Sequence, residues 1–387
     1  MANFVNIHLS QYMPTKKAEP SRIRTGFEEV VAHRTNPPFA YAAEDDGKIE
    51  KIDEKASIAT IFYPKLKKRV AVKFGEEYTN NGGGGFYCTQ IITLNNFKEG
   101  DSFNRGDVIA YNSQFFTSDP YSKQVTWNIG VLTNTVIIDS NATLDDSSII
   151  STKLAEDLEI NPVFVKDITL KKNTTIHKFA DVGTKIASIE PLMVFDQSEM
   201  SDDMFGKIDD EAIALLSKLN KKTAKAGHNG VVVKIDAFYK HNIGEVSKSL
   251  QTLINLINRR KQEVKKAAEG TVNELDFPGA TNIRRSDRIG GTDLDDETVI
   301  IRFYIKDSSK MSGGDKIEFD SSLKSVCTAV EEPWVVEDGS MQCDAWFSAI
   351  GINNRIIISP IITGIGNRCV EEIEKNILDM YFGKDKK

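Results

Sequence analysis

The run Val299-Ile-Ile-Arg-Phe-Tyr-Ile-Lys306 alternates strictly enough to commit this stretch to a β-sheet. Val299, Ile301, Phe303 and Ile305 share one face of an extended chain, and Arg302, Tyr304 and Lys306 share the other, the period-two pattern of a half-buried strand. Gly313-Gly314-Asp315 then breaks the pattern. Glycines permit a tight reversal and a close approach of backbone to ligand, so Lys316 is presented at a fixed point beside a groove. A second lysine follows at Lys324, and Arg355 stands in Gly351-Ile-Asn-Asn-Arg355. A lysine ammonium suits a phosphate oxygen or the growing end of a nucleic acid, and an arginine fork suits a triphosphate. Taken alone, Gly-Gly-Asp-Lys is more often a plain turn carrying a solvated lysine. Its surroundings decide.

A chain of 387 residues buries a substantial core and divides into two or three units. The net charge of -7 argues against nucleic-acid binding through overall basicity and leaves a local basic groove open. Cys88, Cys327, Cys343 and Cys369 show neither a C-x-x-C pair nor zinc-ligand spacing, which fits a reducing, cytoplasmic setting. The Met1 region lacks a signal pattern, and the most apolar stretch, Ile356 to Ile365, is interrupted by Ser359, Pro360 and Gly364. A soluble protein that is not exported is expected.

The fold class read from the chain is mixed α+β and β-rich. From about Arg24 to Lys153, short strands are punctuated by Asp46-Gly47, the Asn80 to Gly85 tract and Gly100-Asp101. The two Gly-Asp turns between Phe97 and Ala110 suit a barrel or sandwich corner. A lipoyl-type carrier is set aside because Asn104-Arg105 stands where such a domain needs its lysine. The middle, Asp167 to Asp295, changes texture. Helices are predicted at Asp209 to Leu219 and Glu245 to Glu269, the latter stopped by Gly270, with His228 to Ile235 as a turn and strand between them. A last amphipathic helix spans Val370 to Phe382, with Val370, Ile373, Ile377 and Met380 on one face.

Asp145 and Asp146 follow the strand-like Val136-Ile-Ile-Asp139 and precede Ile149-Ile150. Two adjacent carboxylates at a strand end can face a magnesium ion, directly or through water, although a cap or a solvated loop is the commoner use. Asp293, Asp295 and Asp296 read as loop acids leading into the Val299 strand. The Asn80 to Gly85 tract lacks the Gly-Lys-Ser/Thr of a phosphate loop and reads as a hairpin tip. No histidine stands in ligand or triad spacing. Gly-x-Ser-x-Gly, His-Glu-x-x-His and a Rossmann glycine fingerprint are also missing, which leaves hydrolase, metalloprotease and dehydrogenase readings without support.

Several segments fall in a telling order: Arg24-Thr-Gly-Phe-Glu-Glu-Val-Val-Ala-His33, Tyr87-Cys-Thr-Gln-Ile-Ile92, Gly106-Asp-Val-Ile-Ala110, Leu144-Asp-Asp-Ser-Ser-Ile-Ile-Ser151, Asn229-Gly-Val-Val-Val-Lys-Ile235, Gly314-Asp-Lys316, Asp338-Gly339 and Ile350-Gly-Ile-Asn-Asn-Arg-Ile-Ile-Ile358. Together they resemble the C-terminal half of the second-largest, or β, subunit of multisubunit DNA-directed RNA polymerases. That family reads Thr-Gly-x-Glu-x-x-Val-Ala, Cys-x-Asn-Gln, Gly-Asp-Val-Leu-Ala-Asp, Phe-Glu-Asp-Ser-Ile-Leu-x-Ser, Gly-Asp-Lys and Leu-Gly-Val-Pro-Ser-Arg-Met-Asn-Ile at the corresponding places. Each match is weak. Their shared order over nearly the whole chain is not.

The resemblance implies a double-psi-barrel-type core interrupted by an inserted module, with a C-terminal helix. Residues 1–160 become the first half of a hybrid-binding and barrel region. Residues 161–297 become the flap, or wall, with a factor-docking tip helix near 209–219. Residues 298–387 become the second barrel half with the Gly-Asp-Lys loop. It implies that Lys316 and Lys324 approach the RNA 3′ end and the initiating nucleotide, and that Arg355 faces the incoming NTP. Asp145 and Asp146 are implied to support a second Mg2+, indirectly, with Asp146 the closer. Implied partners are an N-terminal β polypeptide, β′-like polypeptides carrying the catalytic aspartate triad, a promoter-specificity factor, and DNA template and RNA, with no membrane.

Departures from the family are equally specific. Asp320 stands where the family has an arginine between the two lysines, and Ser10, in Leu9-Ser-Gln-Tyr-Met-Pro14, replaces a nucleotide-facing arginine. No Asn-Ala-Asp-Phe-Asp-Gly-Asp occurs, so the chain alone is expected to be inactive. The missing N-terminal lobes and C-terminal clamp segment fit a split, diverged β subunit of a large-genome (jumbo) bacteriophage, acting in the host-cell cytoplasm or carried in the virion. The rival reading is a non-catalytic phage structural or nucleic-acid-binding scaffold protein, in which the three cations are surface charges.

Overall fold

The structure, a computed structural model, describes residues 1–7, 15–37, 39–81, 86–196, 221–240, 242–271, 280–282, 288–289, 292–320 and 323–383. Six strands close into a barrel: β1 (Ala2–Ile7), β2 (Val125–Ile137), β3 (Ser147–Ser151), β4 (Lys316–Phe319), β5 (Leu323–Glu331) and β6 (Ala345–Phe347). The ring runs β1-β4-β5-β3-β6-β2 and returns to β1. The β2–β6 and β3–β5 pairs are parallel and the others antiparallel. Parallel neighbours cannot be joined by a tight turn. Long excursions between β1 and β2 and between β3 and β4 make the mixed pairing possible.

Alternation fills the barrel. On β5, Leu323, Ser325 and Cys327 point inward while Lys324, Val326 and Thr328 face out. The inward set meets Val5, Val131, Ile150, Ile317, Phe319, Ala345 and Phe347, and the Phe319 and Phe347 rings lie 4.7 Å apart. Burial pushes the Cys327 thiol up to about 11, so it behaves as a small apolar filler. All four cysteines are free.

Asp320 sits in the barrel seam. It leaves β4 in the left-handed region at φ 46, its N–H donates to Phe4 O at 2.8 Å, and its Oδ1 accepts from Phe4 N at 2.9 Å. Fully buried Asn3 donates to Asp320 Oδ2 and, at 2.7 Å, to Pro360 O, while its own Oδ1 accepts from Thr135 Oγ1. Asp320 is thus a structural acceptor that ties β1 to the end of β4. Burial holds the Asp320 carboxyl above the usual carboxylate range, so the folded state binds its proton more tightly than the unfolded chain does. This group's contribution is therefore greatest below about pH 3.9 and declines as pH rises through the higher folded value. In urea unfolding from about pH 3.5 to about pH 6.5, the midpoint of the parent should fall relative to Asp320→Asn as pH rises. A constant difference across that range would contradict this assignment.

Thr298–Lys306 pairs along its length with Pro162–Lys171 on one side and Gly230–Tyr239 on the other. It is central to a second, nine-stranded sheet, and the barrel resumes only at Lys316, not at the expected boundary of 298. Its polar-looking face is covered too. Tyr304 is buried against Tyr87, Ile300 packs on Leu294, and Arg302 is held by Asp167 at 2.7 Å. Phe86–Leu94 and Val108–Asn112 join the same sheet, so it also crosses the expected boundary at 160.

Helix α1 (Lys248–Ala267) packs Leu250, Leu253, Ile254 and Ile257 on this sheet. Ser247 caps it by accepting from Leu250 N at 3.3 Å, and Gly270 follows at φ 78. The predicted tip helix near 209–219 and the Leu9–Pro14 segment with Ser10 lie outside the described residues.

Helix α2 (Ala349–Arg355) and helix α3 (Ser359–Phe382) end the fold. The last helix begins well before the predicted Val370, because Pro360 is tolerated in a first turn and Gly364 serves contact instead of breaking the helix. A Cβ on Gly364 would stand 2.7 Å from Asn3 Nδ2. Asn367 Nδ2 donates to Ala2 O at 3.1 Å, which fixes this face of α3 on β1. Ile373, Ile377 and Met380, predicted to share a face, are exposed. No helix among the described residues is long and apolar enough to cross a membrane.

Candidate functional site

The predicted cations lie on a wall of the barrel. In the β4–β5 hairpin Lys316 pairs with Val326 and Glu318 with Lys324, so the two lysines are diagonal neighbours on the outer face. Both are exposed, and neither ammonium has an ion-pair partner among the described residues. The turn before Lys316 is clamped. Gly314, at φ 96, donates its N–H to Cys327 O at 2.7 Å, and Cys327 N donates to Asp315 O at 2.9 Å. Asp315 Oδ2 accepts from Ser312 N at 2.8 Å. A side chain at Gly314 would be strained by that φ even with space around it.

The acidic loop docks on the same hairpin. Asp146 O accepts from Val326 N and from Ser325 Oγ, each at 2.9 Å. Asp145, at φ 54, turns the chain. Asp146 Oδ1 lies 2.7 Å from Arg355 Nη2 at the end of α2. The start of that helix is held by Ser348 Oγ, which accepts from Ile350 N at 3.1 Å, and by Asp139 Oδ1, which accepts from Ala349 N at 3.0 Å. Gly351 lets helix and loop touch, since a Cβ there would stand 2.7 Å from Asp145 O. Lys316, Lys324, Asp146 and Arg355 are thereby joined through consecutive contacts. They come from three segments far apart in sequence.

The Arg355–Asp146 pair is partly open, with side-chain exposures of 29% and 53%. Such a pair contributes at most ~1 kcal/mol, so a triphosphate, with more negative charge than one carboxylate, can draw the guanidinium away. The arrangement offers a polyanion two exposed ammonium groups, unpaired among the described residues, and one releasable fork.

Two carboxylates, one already paired with arginine, do not make a Mg2+ shell, which takes near-ideal octahedral oxygen ligation. Among the described residues no group of three or more His, Cys, Asp or Glu side chains could hold a metal ion. Asp145 and Asp146 fit only an outer, water-mediated place beside a metal whose direct ligands come from elsewhere.

Asp139, Ser348 and Gly351 were not singled out from sequence as positioning residues. The signal for Ser348 was a capping residue before an apolar run, whereas the Gly351 contact with Asp145 is a long-range one with no local signature. Asp295 and Asp296 lie in the loop before Thr298–Lys306, as read, whereas Asp293 stands in the short strand Thr292–Asp293, paired with Arg288. No protein-family model matches this chain, and no curated protein matches it in sequence.

Proposed function

We propose that this chain is a β-type subunit of a multisubunit DNA-directed RNA polymerase, corresponding to the C-terminal half of that subunit and forming one wall of the active site. The observation that carries the reading is that the hairpin bearing Lys316 and Lys324 is docked, through Val326 and Ser325, on the loop whose Asp146 pairs with Arg355, three segments that resemble three family motifs. The closed six-stranded barrel with two parallel pairs is compatible with the double-psi type, which we include in the proposal. The flap of this reading is residues 161–297, which supply α1 and part of the nine-stranded sheet.

In this reading Lys316 and Lys324 bind phosphate oxygens and the 3′ end of the RNA, and Arg355 orients the triphosphate of the incoming NTP. Mg2+ supplies charge neutralisation for nucleotidyl transfer and is held mainly by another polypeptide. Asp145 and Asp146 position water and Arg355. Contacts to the RNA–DNA hybrid are made to backbones and carry no sequence information. The uncovered apolar side chains of α3, among them Ile373, Ile377 and Met380, favour a chain that works inside an assembly.

Reconstitution tests this directly. The complex assembled with this chain should extend a primed RNA on a DNA template at least ~100-fold faster than the complex lacking it, and the chain alone should not extend at all. Equal extension with and without the chain would sink the proposal in favour of a scaffold.

A further inference from the structure

Between β5 and β6 the chain leaves the barrel as a hairpin, Trp334–Val335 paired with Gln342–Cys343. The inner strand lies on the barrel, where Gln342 O accepts from Asn134 Nδ2 at 3.0 Å. The outer strand has no neighbour among the described residues. Val336 N donates inward to Met341 O at 3.0 Å, and antiparallel alternation then turns the N–H and C=O of Val335 outward. The hairpin is rigid. Trp334 packs on fully buried Trp346 at 4.4 Å, Gly339 at φ 68 donates to Val336 O at 2.7 Å, and Asp338 Oδ1 accepts from Ser340 N at 2.9 Å.

Val335 is 63% exposed, and Trp334 and Val336 are also exposed. Glu331 and Glu332 precede this apolar edge and Glu337 follows it, all exposed and none with an ion-pair partner among the described residues. Unpaired strand edges are usually blunted by short length, lysine, proline, a bulge or a covering element, and this one is two residues long, offering one outward N–H and C=O pair at Val335. Here Pro333 blocks only the N-terminal end, and the flanking charge has one sign.

We propose that this edge docks an extended, cationic segment of another polypeptide, which adds as a strand at Val335, covers the Trp334–Val336 side chains and places lysines or arginines against Glu331, Glu332 and Glu337. Strand addition takes affinity from backbone hydrogen bonds and specificity from the alternate side chains. A second copy of this chain is a poor occupant, because it brings the same three glutamates and a net charge of -7. The inference does not rest on the polymerase reading. Its residues lie on the hairpin and at the far end of β5, and none of them is Lys316, Lys324 or Arg355.

The probe is a fluorescent seven-residue peptide of alternating lysine and valine, read by anisotropy against the full chain, with an oligolysine of equal length as the comparison. The alternating peptide should bind at least ~10-fold more tightly than oligolysine. Val335→Pro, which removes the outward N–H, should weaken it at least ~10-fold, as should the Glu332→Lys, Glu337→Lys double variant. All of these positions are exposed, and circular dichroism would verify folding of the variants. Equal binding of the two peptides, or variants that bind like the parent, would overturn the proposal. Self-association of the parent that is lost in the same variants would overturn the choice of occupant.

Discussion

Replacing Lys316 and Lys324 together by alanine should, on the proposed function, slow extension of a primed RNA by the assembled complex roughly a hundredfold, with assembly and folding intact. The size follows from the ~3 kcal/mol of transition-state stabilisation that two positioned cations can supply where charge builds up on phosphate oxygens. Folding should be preserved because both side chains are exposed on the outer face of the barrel and neither neutralises a buried carboxylate among the described residues. Each single variant should lose less than the pair, since the diagonal neighbour still faces the same anion. Extension rates combined with a thermal melt measure both halves of this expectation. Loss of extension together with a large fall in Tm would point to a structural role instead.

The second large effect is expected for Arg355→Ala. Its guanidinium should grip the triphosphate only after leaving Asp146, so the loss falls mainly on the NTP concentration needed for half-maximal extension, which should rise by roughly a hundredfold. Arg355→Lys should recover only part, because an ammonium cannot reproduce the bidentate fork. Stability should change by less than ~1 kcal/mol, since the ion pair being broken is half exposed. An unchanged NTP requirement with a lowered maximal rate would place Arg355 away from the triphosphate.

The glycine turn that presents Lys316 was legible, and Gly314 takes φ 96 there. The cross-strand register that makes Lys324 its diagonal neighbour was not, because pairing partners leave no local signature. α1 was legible from its apolar stripe and Gly270, while its cap Ser247 was not singled out. Failures came where long-range packing overrode a local signal. Thr298–Lys306 looked half-buried because Arg302 and Tyr304 alternate with aliphatics, yet residues 162–171 and 230–239 flank it in the sheet while Tyr87 and Leu294 cover its second face and Asp167 neutralises the arginine. Asp320 looked like a lost basic contact because its true partners, Asn3 and Phe4, are more than 300 residues earlier. Pro360 and Gly364 looked like breakers because nothing nearby in sequence announces that Asn3 will meet Gly364.

The most direct test of the central claim is chemical mapping of the RNA 3′ end. Periodate converts the terminal ribose of a primer RNA to a dialdehyde, which forms an imine with a nearby lysine amine, releasing water, and borohydride reduces the imine to a stable amine. In the reconstituted complex on its template, the account predicts that the label lands on Lys316 or Lys324 and disappears from this chain in the double alanine variant. Label confined to other polypeptides, or spread over exposed lysines such as Lys265 and Lys266 of α1, would contradict it.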